Sequence, residues 1–404
     1  MKKESNTIYW LVVIAGCGLI GSCLGLGVNV SGLFFNSIAE EFNVGRGSVA
    51  AGLTVYNLVH AFAGMLAAKV MMKFCFKKTA VAGTILQVAS TFLLSLSPAV
   101  WFMWILNALR GFASGMIGTV AVTITLNYWF NKNNALVTSL AMGFSGLAGA
   151  VLSPILASII GSAGWRTGYI VLAGINLLFN LPAILFPITL KPEMKGLEPF
   201  GGQKDTVNGN TGENVGKVSV VLVIMVMLYS ACAAGAAALP SHFPGIADSY
   251  GLAAFGALMV SACMVTNTGG KVLMGTLIDR IGAKLSVSIY AAIIMLSAAA
   301  LAFGRSEFIL VAAAGGYGLC YSMGTVGSAM LTREMFGTGL YSTVYPKVAL
   351  ATTVSNAIFT TVVGTMYDIS GTYTGIILFM IVMIAISYLM MNLAYQKKNQ
   401  LSAG

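Results

Sequence analysis

The stretch GTLIDRIGAK, residues 275–284, places an aspartate, an arginine and a lysine between two long apolar runs. A helix needs roughly 20 mostly apolar residues to cross a lipid bilayer. The runs on either side of this stretch, residues 252–277 and 285–303, have about that length. We therefore predict a short cytoplasmic connection between two membrane-spanning helices.

The composition of the chain extends this prediction to its full length. The hydrophobic fraction is 57%, the charged fraction is 8% and the mean hydropathy is +0.87, whereas about a quarter of the residues in soluble domains are charged. The apolar runs are too long for strands of a membrane barrel and lack two-residue alternation, which predicts helices. Twelve spans are predicted, at residues 9–35, 47–68, 79–97, 101–127, 135–161, 167–190, 218–242, 252–277, 285–303, 307–331, 341–366 and 373–394.

The basic residues predict the orientation of these helices. Most of the 22 lysines and arginines fall in connections on one side of the predicted membrane, and Arg46, Arg166 and Arg305 fall on the other. Cytoplasmic connections carry the excess of basic residues, so both termini are predicted to be cytoplasmic. The net charge of +10 then reflects membrane topology, and we expect no nucleic-acid partner.

A polar segment divides the predicted spans into six and six. Residues 191–217 are rich in glycine, proline, asparagine and alternating charge, which predicts a flexible cytoplasmic linker between residues 1–190 and 218–404. The tripeptide Gly118–Val120 recurs as Gly324–Val326, one of several matches at a nearly constant offset. We predict two pseudo-symmetric six-helix bundles, an arrangement typical of a transporter with a site near the middle of the membrane.

Three charged residues fall inside predicted spans, and all of them are basic: Arg110, Lys271 and Lys347. An ionisable group at membrane depth costs at least about 2.5–3.5 kcal/mol, so it normally faces a cavity or a partner. None of the 12 acidic residues falls at that depth, so a transported anion is the expected counter-ion. The alternative for Arg110 is a structural role on backbone carbonyls, and for the two lysines it is extension to the lipid headgroups.

Other polar side chains in the spans are candidates for the same site. His60 lies one turn after Tyr56 and is the candidate for proton coupling, with a structural hydrogen bond as the alternative. Tyr317 and Tyr321 have the same spacing and are candidates for donating hydroxyl groups to an anion, with aromatic packing as the alternative. No nucleophile beside a base, paired carboxylates or cysteine–histidine cluster is found, so we expect no enzyme, catalytic residue, metal or cofactor.

The stretch at residues 275–284 resembles the GxLxDRxGxK loop of the major facilitator superfamily, and the resemblance covers nearly the whole chain. It implies the fold of two six-helix bundles. It also implies that Asp279 and Arg280, with Gly275 and Gly282, act in gating by bracing the cytoplasmic gate.

Further stretches resemble the oxalate/formate antiporter and monocarboxylate porter group. These stretches are Asn127–Phe130, Gly164–Arg166, Asn267–Lys271 and Tyr367–Tyr373. The resemblance implies that Lys271 holds a substrate carboxylate. The place of a second basic residue falls near Thr352, and Lys347 lies five residues earlier, which favours a monocarboxylate or a different anion.

We therefore predict a secondary active transporter that moves a small organic anion, a mono- or dicarboxylate, by alternating access, as an antiporter or a proton symporter. The expected partners are the substrate, a counter-anion or proton, and membrane lipid, and the expected state is a monomer in the inner (cytoplasmic) membrane. The alternatives are an exporter of drugs or other amphiphilic metabolites and a non-transporting membrane sensor.

Overall fold

The computed structural model describes residues 2–202, 219–252 and 255–403. Across these ranges the chain is helical apart from short connections, and an isolated parallel bridge is the only β-type pairing found there. Nine helices in the same ranges are long and apolar enough to cross a membrane. The predicted all-helical class with multiple spans is confirmed, while the number of twelve and the side of the termini stay predictions.

The nine candidate spans differ from the twelve predicted runs at three places. The helices Phe76–Leu94 and Gly256–Ile281 are not among the candidates, because Lys77 and Lys78 in the first and Lys271 in the second lower the mean hydropathy. Elsewhere two predicted runs follow each other without a loop, so that one continuous candidate extends over Glu307–Thr360.

The chain divides into two compact units, and the first comprises Met1–Lys132 and Leu140–Gln203. Its first helix changes to π geometry over Gly21–Asn29, a sequence with three glycines. A π segment departs from regular α-helical hydrogen bonding and is frequent at functional sites. The helices of this unit are α1 (Lys2–Ile20), α2 (Phe35–Glu41), α3 (Arg46–Phe74), α4 (Phe76–Leu94), α5 (Val100–Ile117), α6 (Thr119–Trp129) and α7 (Asn134–Leu185) from Leu140 onward.

The second unit comprises Asn133–Ser139 and Lys204–Gly404, so that α7 begins in this unit and continues in the first. It also contains a π segment, Met323–Gly327, which includes one copy of the repeated tripeptide. The other copy begins at Gly118, which separates α5 from α6. The helices of this unit are α8 (Val220–Ala236), α9 (Phe243–Ser249), α10 (Gly256–Ile281), α11 (Ala283–Phe303), α12 (Glu307–Tyr317), α13 (Cys320–Ser322), α14 (Ser328–Ser370) and α15 (Thr374–Ala403).

Four helix junctions share one backbone conformation that is almost exclusive to glycine. The φ and ψ angles are 82° and 163° at Gly164, 68° and 179° at Gly337, and 83° and 161° at Gly282. The fourth junction, between α3 and α4, has Cys75 at 66° and 155°. A residue with a Cβ is strained in this region, so the first three positions require glycine and Cys75 stores strain.

The segment that follows α7 corrects the prediction of a flexible linker over its first part. Pro192–Lys195 form a 3₁₀ helix, and Phe200 forms a parallel bridge with Phe130. The Tyr9 hydroxyl donates to the Glu198 carbonyl oxygen at 2.5 Å, and the Tyr9 ring packs edge-on against Phe200. Although the segment is mostly polar, contacts of Phe200 with Tyr9 and Phe130 therefore hold its first part against the rest of the first unit. The rest of the predicted linker, residues 203–217, lies outside the described ranges.

Candidate functional site

Arg110 is a buried cation within the first unit, with 2% of its surface exposed. Its Nη2 donates to the Leu26 carbonyl oxygen at 3.1 Å and lies 3.5 Å from that of Gly27, both within the π segment Gly21–Asn29. Its Nη1 donates to Asn107 Oδ1 at 3.4 Å, and its guanidinium lies 5.2 Å from the centre of the Tyr56 ring. This is the geometry of the structural alternative, in which backbone carbonyls hold the arginine.

The Arg110 guanidinium nevertheless keeps unused binding capacity. Its Nε is buried and has no hydrogen-bond partner, and no ion pair involves Arg110 among the described residues. The side chain lines a cavity together with Ser31, Asn107 and Tyr169. The arrangement leaves a buried positive charge with one unpaired donor, on a side chain that lines a small cavity.

Tyr56 and His60 lie on the same face of α3, as their spacing predicted. The Tyr56 hydroxyl donates to the Cys23 carbonyl oxygen at 2.6 Å, so it joins two helices and has already used its proton. The His60 ring stacks on Tyr56 with 5.9 Å between centroids, and its Nδ1 is buried without a hydrogen-bond partner. His60 therefore retains a free ring nitrogen, whereas Tyr56 does not retain a free donor.

A buried amide cluster in the first unit was missed by the sequence analysis. The Asn180 amide donates to Gln87 Oε1 at 3.0 Å, and the Gln87 amide donates to Ser114 Oγ at 3.3 Å. The Ser22 hydroxyl donates to Asn176 Oδ1 at 2.9 Å. The available signal was the spacing of Asn176 and Asn180 on one face of an otherwise apolar helix. The cluster links several helices through polar contacts in an apolar core.

Lys271 is the buried cation of the second unit, with 6% of its surface exposed. Among the described residues, no side chain or carbonyl forms a hydrogen bond or ion pair with its ammonium group. Asn267 lies one turn earlier on α10, and its Oδ1 is buried without a hydrogen-bond partner. The hydroxyl of Ser322 is also buried without a hydrogen-bond partner. A Cβ at Gly270 would lie 3.1 Å from Ser322 Oγ, which places that hydroxyl beside α10. We call Asn267, Lys271 and Ser322 the Lys271 cluster.

The remaining candidates of the second unit differ in their surroundings. The Tyr317 hydroxyl donates to the Ala236 carbonyl oxygen at 2.9 Å, and its ring packs edge-on against Phe243, so packing occupies this side chain. Tyr321 is half-buried, next to Ser322 of the Lys271 cluster. Lys347 follows Pro346 inside α14 and is exposed, unlike the other two basic candidates.

The stretch at residues 275–284 folds as a cap on the beginning of α7. The Asp279 carboxylate accepts hydrogen bonds from the backbone nitrogens of Leu136 at 2.8 Å and Ala135 at 3.3 Å. A carboxylate at this position satisfies free N–H groups and interacts favourably with the helix dipole. Burial raises the pKa of Asp279, and these hydrogen bonds oppose the shift.

The two glycines at residues 275 and 282 are required for different structural reasons. A Cβ at Gly275 would lie 2.6 Å from the Ala135 carbonyl oxygen, so only glycine permits the approach of α10 to the first turn of α7. Gly282 has the positive φ described above. Arg280 is exposed and has no hydrogen bond or ion pair with the described residues, so the structure engages Asp279 without Arg280.

A second polar group of the first unit lies at the kink of α7. Arg166 forms an ion pair with Glu41, and Trp165 Nε1 donates to the other carboxylate oxygen of Glu41 at 2.6 Å. The Arg166 guanidinium lies 4.2 Å from the centre of a Trp165 ring. The hydrogen bond from Arg166 holds the pKa of Glu41 below its ordinary value.

In the first unit, Tyr56 contacts both His60 and Arg110. The other four candidates, Lys271, Tyr317, Tyr321 and Lys347, belong to the second unit. No set of three or more histidine, cysteine, aspartate or glutamate side chains within the described ranges could hold a metal ion.

Three comparisons place the chain among known proteins. The model of the Major Facilitator Superfamily matches residues 17–345. The uncharacterized MFS-type transporter YcxA of Bacillus subtilis (strain 168) is 23% identical over 266 residues, which are 62% of this chain and 60% of that protein. The match therefore spans less than two thirds of that relative's length.

Solved structures of transporters share the fold. The Escherichia coli fucose:proton symporter FucP is 16% identical, with a TM-score of 0.71 over 96% of this chain and 99% of that chain. The proton:xylose symporter XylE is 14% identical, with a TM-score of 0.74 over 97% of this chain and 96% of that chain. The predicted fold class and multi-pass membrane location are confirmed, and the family is one of membrane transporters rather than enzymes. The match over most of its length shows that the chain belongs to the Major Facilitator Superfamily.

Proposed function

We propose that this transporter moves a small organic anion across the cell membrane by alternating access, as an antiporter or a proton symporter. The observation that carries the proposal is Lys271, whose charge is buried without a counter-ion among the described residues. Taking an ammonium group out of water costs several kcal/mol unless an opposite charge or hydrogen bonds compensate it. A bound carboxylate supplies both.

The surroundings of Lys271 support a ligand with acceptor atoms. The Ser322 hydroxyl is a buried donor without an acceptor. The Asn267 amide lies one helical turn from Lys271, and exchanging its oxygen and nitrogen would present two N–H donors in place of the unpaired oxygen. A carboxylate oxygen accepts from each of these groups, so one ligand would satisfy the cluster.

A proton-coupled sugar symporter is the second candidate, because FucP and XylE are named as sugar symporters. Identities of 14% and 16% support a shared fold rather than a shared substrate. A neutral sugar would leave the Lys271 charge uncompensated. We therefore favour the anion, and we assign a coupled proton to the free ring nitrogen of His60.

Exchange in proteoliposomes tests the proposal. Vesicles loaded with a panel of monocarboxylates and dicarboxylates are assayed for counterflow of the labelled compound. We expect saturable carboxylate exchange that falls about 100-fold in Lys271→Gln, because one partner of a buried ion pair is lost. Lys271→Arg retains the charge and part of the activity. Lys195→Gln, which removes an exposed lysine after α7, leaves exchange unchanged.

Two further arms separate the alternatives. A pH gradient that accelerates uptake in the parent protein but not in His60→Asn supports proton symport, and equal acceleration in both excludes His60. Uptake of fucose, xylose or a lipophilic cation without any response to carboxylates would overturn the anion proposal.

A further inference from the structure

We propose that the junction of α3 and α4 carries a binding surface for the headgroups of anionic membrane lipids. The surface consists of four lysines within a stretch of ten residues, Lys69, Lys73, Lys77 and Lys78, and we call it the α3–α4 lysine surface. It belongs to the first unit. The proposal does not depend on the Lys271 cluster or on the identity of the transported substrate.

The four lysine side chains are exposed, and no acidic side chain neutralises them. None of them forms a hydrogen bond or an ion pair with the residues that the structure describes. Lys73 Nζ lies 5.3 Å from the centre of the Phe74 ring, a contact that leaves the charge of the ammonium group in place. The surface therefore presents four positive charges to a partner outside the protein.

The positions of these lysines are electrostatically unfavourable while no anion is bound. Lys69 and Lys73 lie four residues apart on α3, and like charges at this spacing in a helix repel each other. Lys77 and Lys78 lie in the first turn of α4, where the helix dipole disfavours cations. An anionic group beside the surface would reverse both effects, because it attracts all four charges.

The surface lies at the end of a candidate membrane span, where lipid headgroups are expected. The span Ser48–Phe74 ends one residue after Lys73, and the apolar side chains of Leu66, Met72 and Phe74 are exposed beside the lysines. Lysines at the end of a span extend to the headgroups, and clusters of four or more basic residues next to a span attract anionic lipids. A lipid would contact the lysines through its phosphate and the apolar side chains through its acyl chains, whereas a soluble anion would use the charges alone.

Native mass spectrometry of the purified protein in detergent tests the surface, because it resolves each bound lipid. The protein is titrated with phosphatidylglycerol, which has a net negative charge, and with phosphatidylcholine, which has the same phosphate but no net charge. We expect phosphatidylglycerol to bind more tightly, and its affinity to fall as the ionic strength rises. Equal affinity for the two lipids would overturn the proposal. Displacement of phosphatidylglycerol by an equal concentration of inorganic phosphate would also overturn it, since the site would then take a free anion.

Matched double variants locate the binding. Each lysine near an anionic lipid surface contributes about fivefold in affinity, so Lys69→Gln/Lys73→Gln is expected to weaken phosphatidylglycerol binding about 25-fold. Lys69→Arg/Lys73→Arg keeps the two charges and the binding. Lys132→Gln/Lys195→Gln removes two exposed lysines from other connections of the chain and leaves the affinity unchanged. Parent-like phosphatidylglycerol affinity in Lys69→Gln/Lys73→Gln would overturn the surface.

Thermal unfolding of the same variant separates lost lipid binding from lost structure. The two lysines are exposed and repel each other, so Lys69→Gln/Lys73→Gln in lipid-free detergent should unfold at the temperature of the parent protein or slightly above it. Weak phosphatidylglycerol binding by a variant with this midpoint supports the surface.

Discussion

Arg110 and Lys271 are both buried cations, but their side chains meet the cost of burial differently. The guanidinium of Arg110 has five N–H donors in a fixed plane, and it reaches the Leu26 carbonyl oxygen while stacking on Tyr56. The ammonium of Lys271 is a compact and strongly hydrated charge, and it finds no such partner among the described residues. This contrast is why the transport proposal depends on Lys271 and not on Arg110.

Cys75 is expected to be less favourable than glycine at the junction of α3 and α4. Its φ of 66° and ψ of 155° fall in a region where a Cβ costs about 1–3 kcal/mol, and glycine loses about 0.5–1 kcal/mol through its freedom in the unfolded chain. We predict that Cys75→Gly raises the free energy of unfolding by about 1 kcal/mol, measured by thermal unfolding in detergent.

The corresponding control is Gly282→Ala, at the junction of α10 and α11 with nearly the same angles. This change introduces the strain that Cys75 already has, so it should lower the unfolding midpoint. Equal midpoints for Cys75→Gly and the parent protein would show that the local backbone accommodates the side chain without strain.

At the level of helices, Asp279 ties the end of α10 to the beginning of α7. Its carboxylate accepts two backbone N–H groups, and replacing a capping acid by alanine costs about 0.5–2 kcal/mol. We predict that Asp279→Ala lowers the free energy of unfolding by about 1 kcal/mol, while Asp279→Asn, which can still accept a hydrogen bond, has a smaller effect. Thermal unfolding at low and high salt measures both.

Arg280→Gln is the matched control, because Arg280 follows Asp279 in the sequence, is exposed, and has no hydrogen bond or ion pair with the described residues. The free energy of unfolding of this variant should stay within about 0.5 kcal/mol of that of the parent protein. A loss as large as that of Asp279→Ala would mean that the two charges act as a pair.

The elements of this chain were predictable to the extent that hydropathy determines them. Apolar length alone predicts spanning helices such as α11. Hydropathy does not predict the hydrogen bond from Arg110 to Leu26, because its partners lie 84 residues apart. The order of Pro192–Phe200 was also missed, since a few aromatic contacts with Tyr9 and Phe130 outweigh the polar composition.

For the protein as a whole, the proposed mechanism makes exchange faster than net flux. A carrier that changes its orientation while empty keeps the charge of Lys271 uncompensated, at a cost of several kcal/mol. We predict that counterflow in loaded vesicles exceeds net efflux into anion-free buffer at least about tenfold. Both rates are obtained by stopping the reaction at successive times and counting the labelled carboxylate in the vesicles. Equal rates of counterflow and net efflux in the absence of a proton gradient would contradict this mechanism.

The substrate class is the property of this protein that is hardest to predict from its sequence. The shared fold is recognisable at 14–16% identity, because packing and hydropathy preserve it. The ligand depends instead on a few unpaired atoms, such as Asn267 Oδ1 and the Ser322 hydroxyl. Whether such an atom is unpaired follows only from the three-dimensional arrangement of its neighbours.

The exposure of Cys75 also gives this chain a natural attachment point. Four of the six cysteines are buried and Cys17 is half-buried, which leaves Cys75 as the exposed thiol. A bulky maleimide fluorophore would therefore modify this connection without prior removal of the other cysteines. The emission of such a dye would report on movements around the end of α3 during turnover.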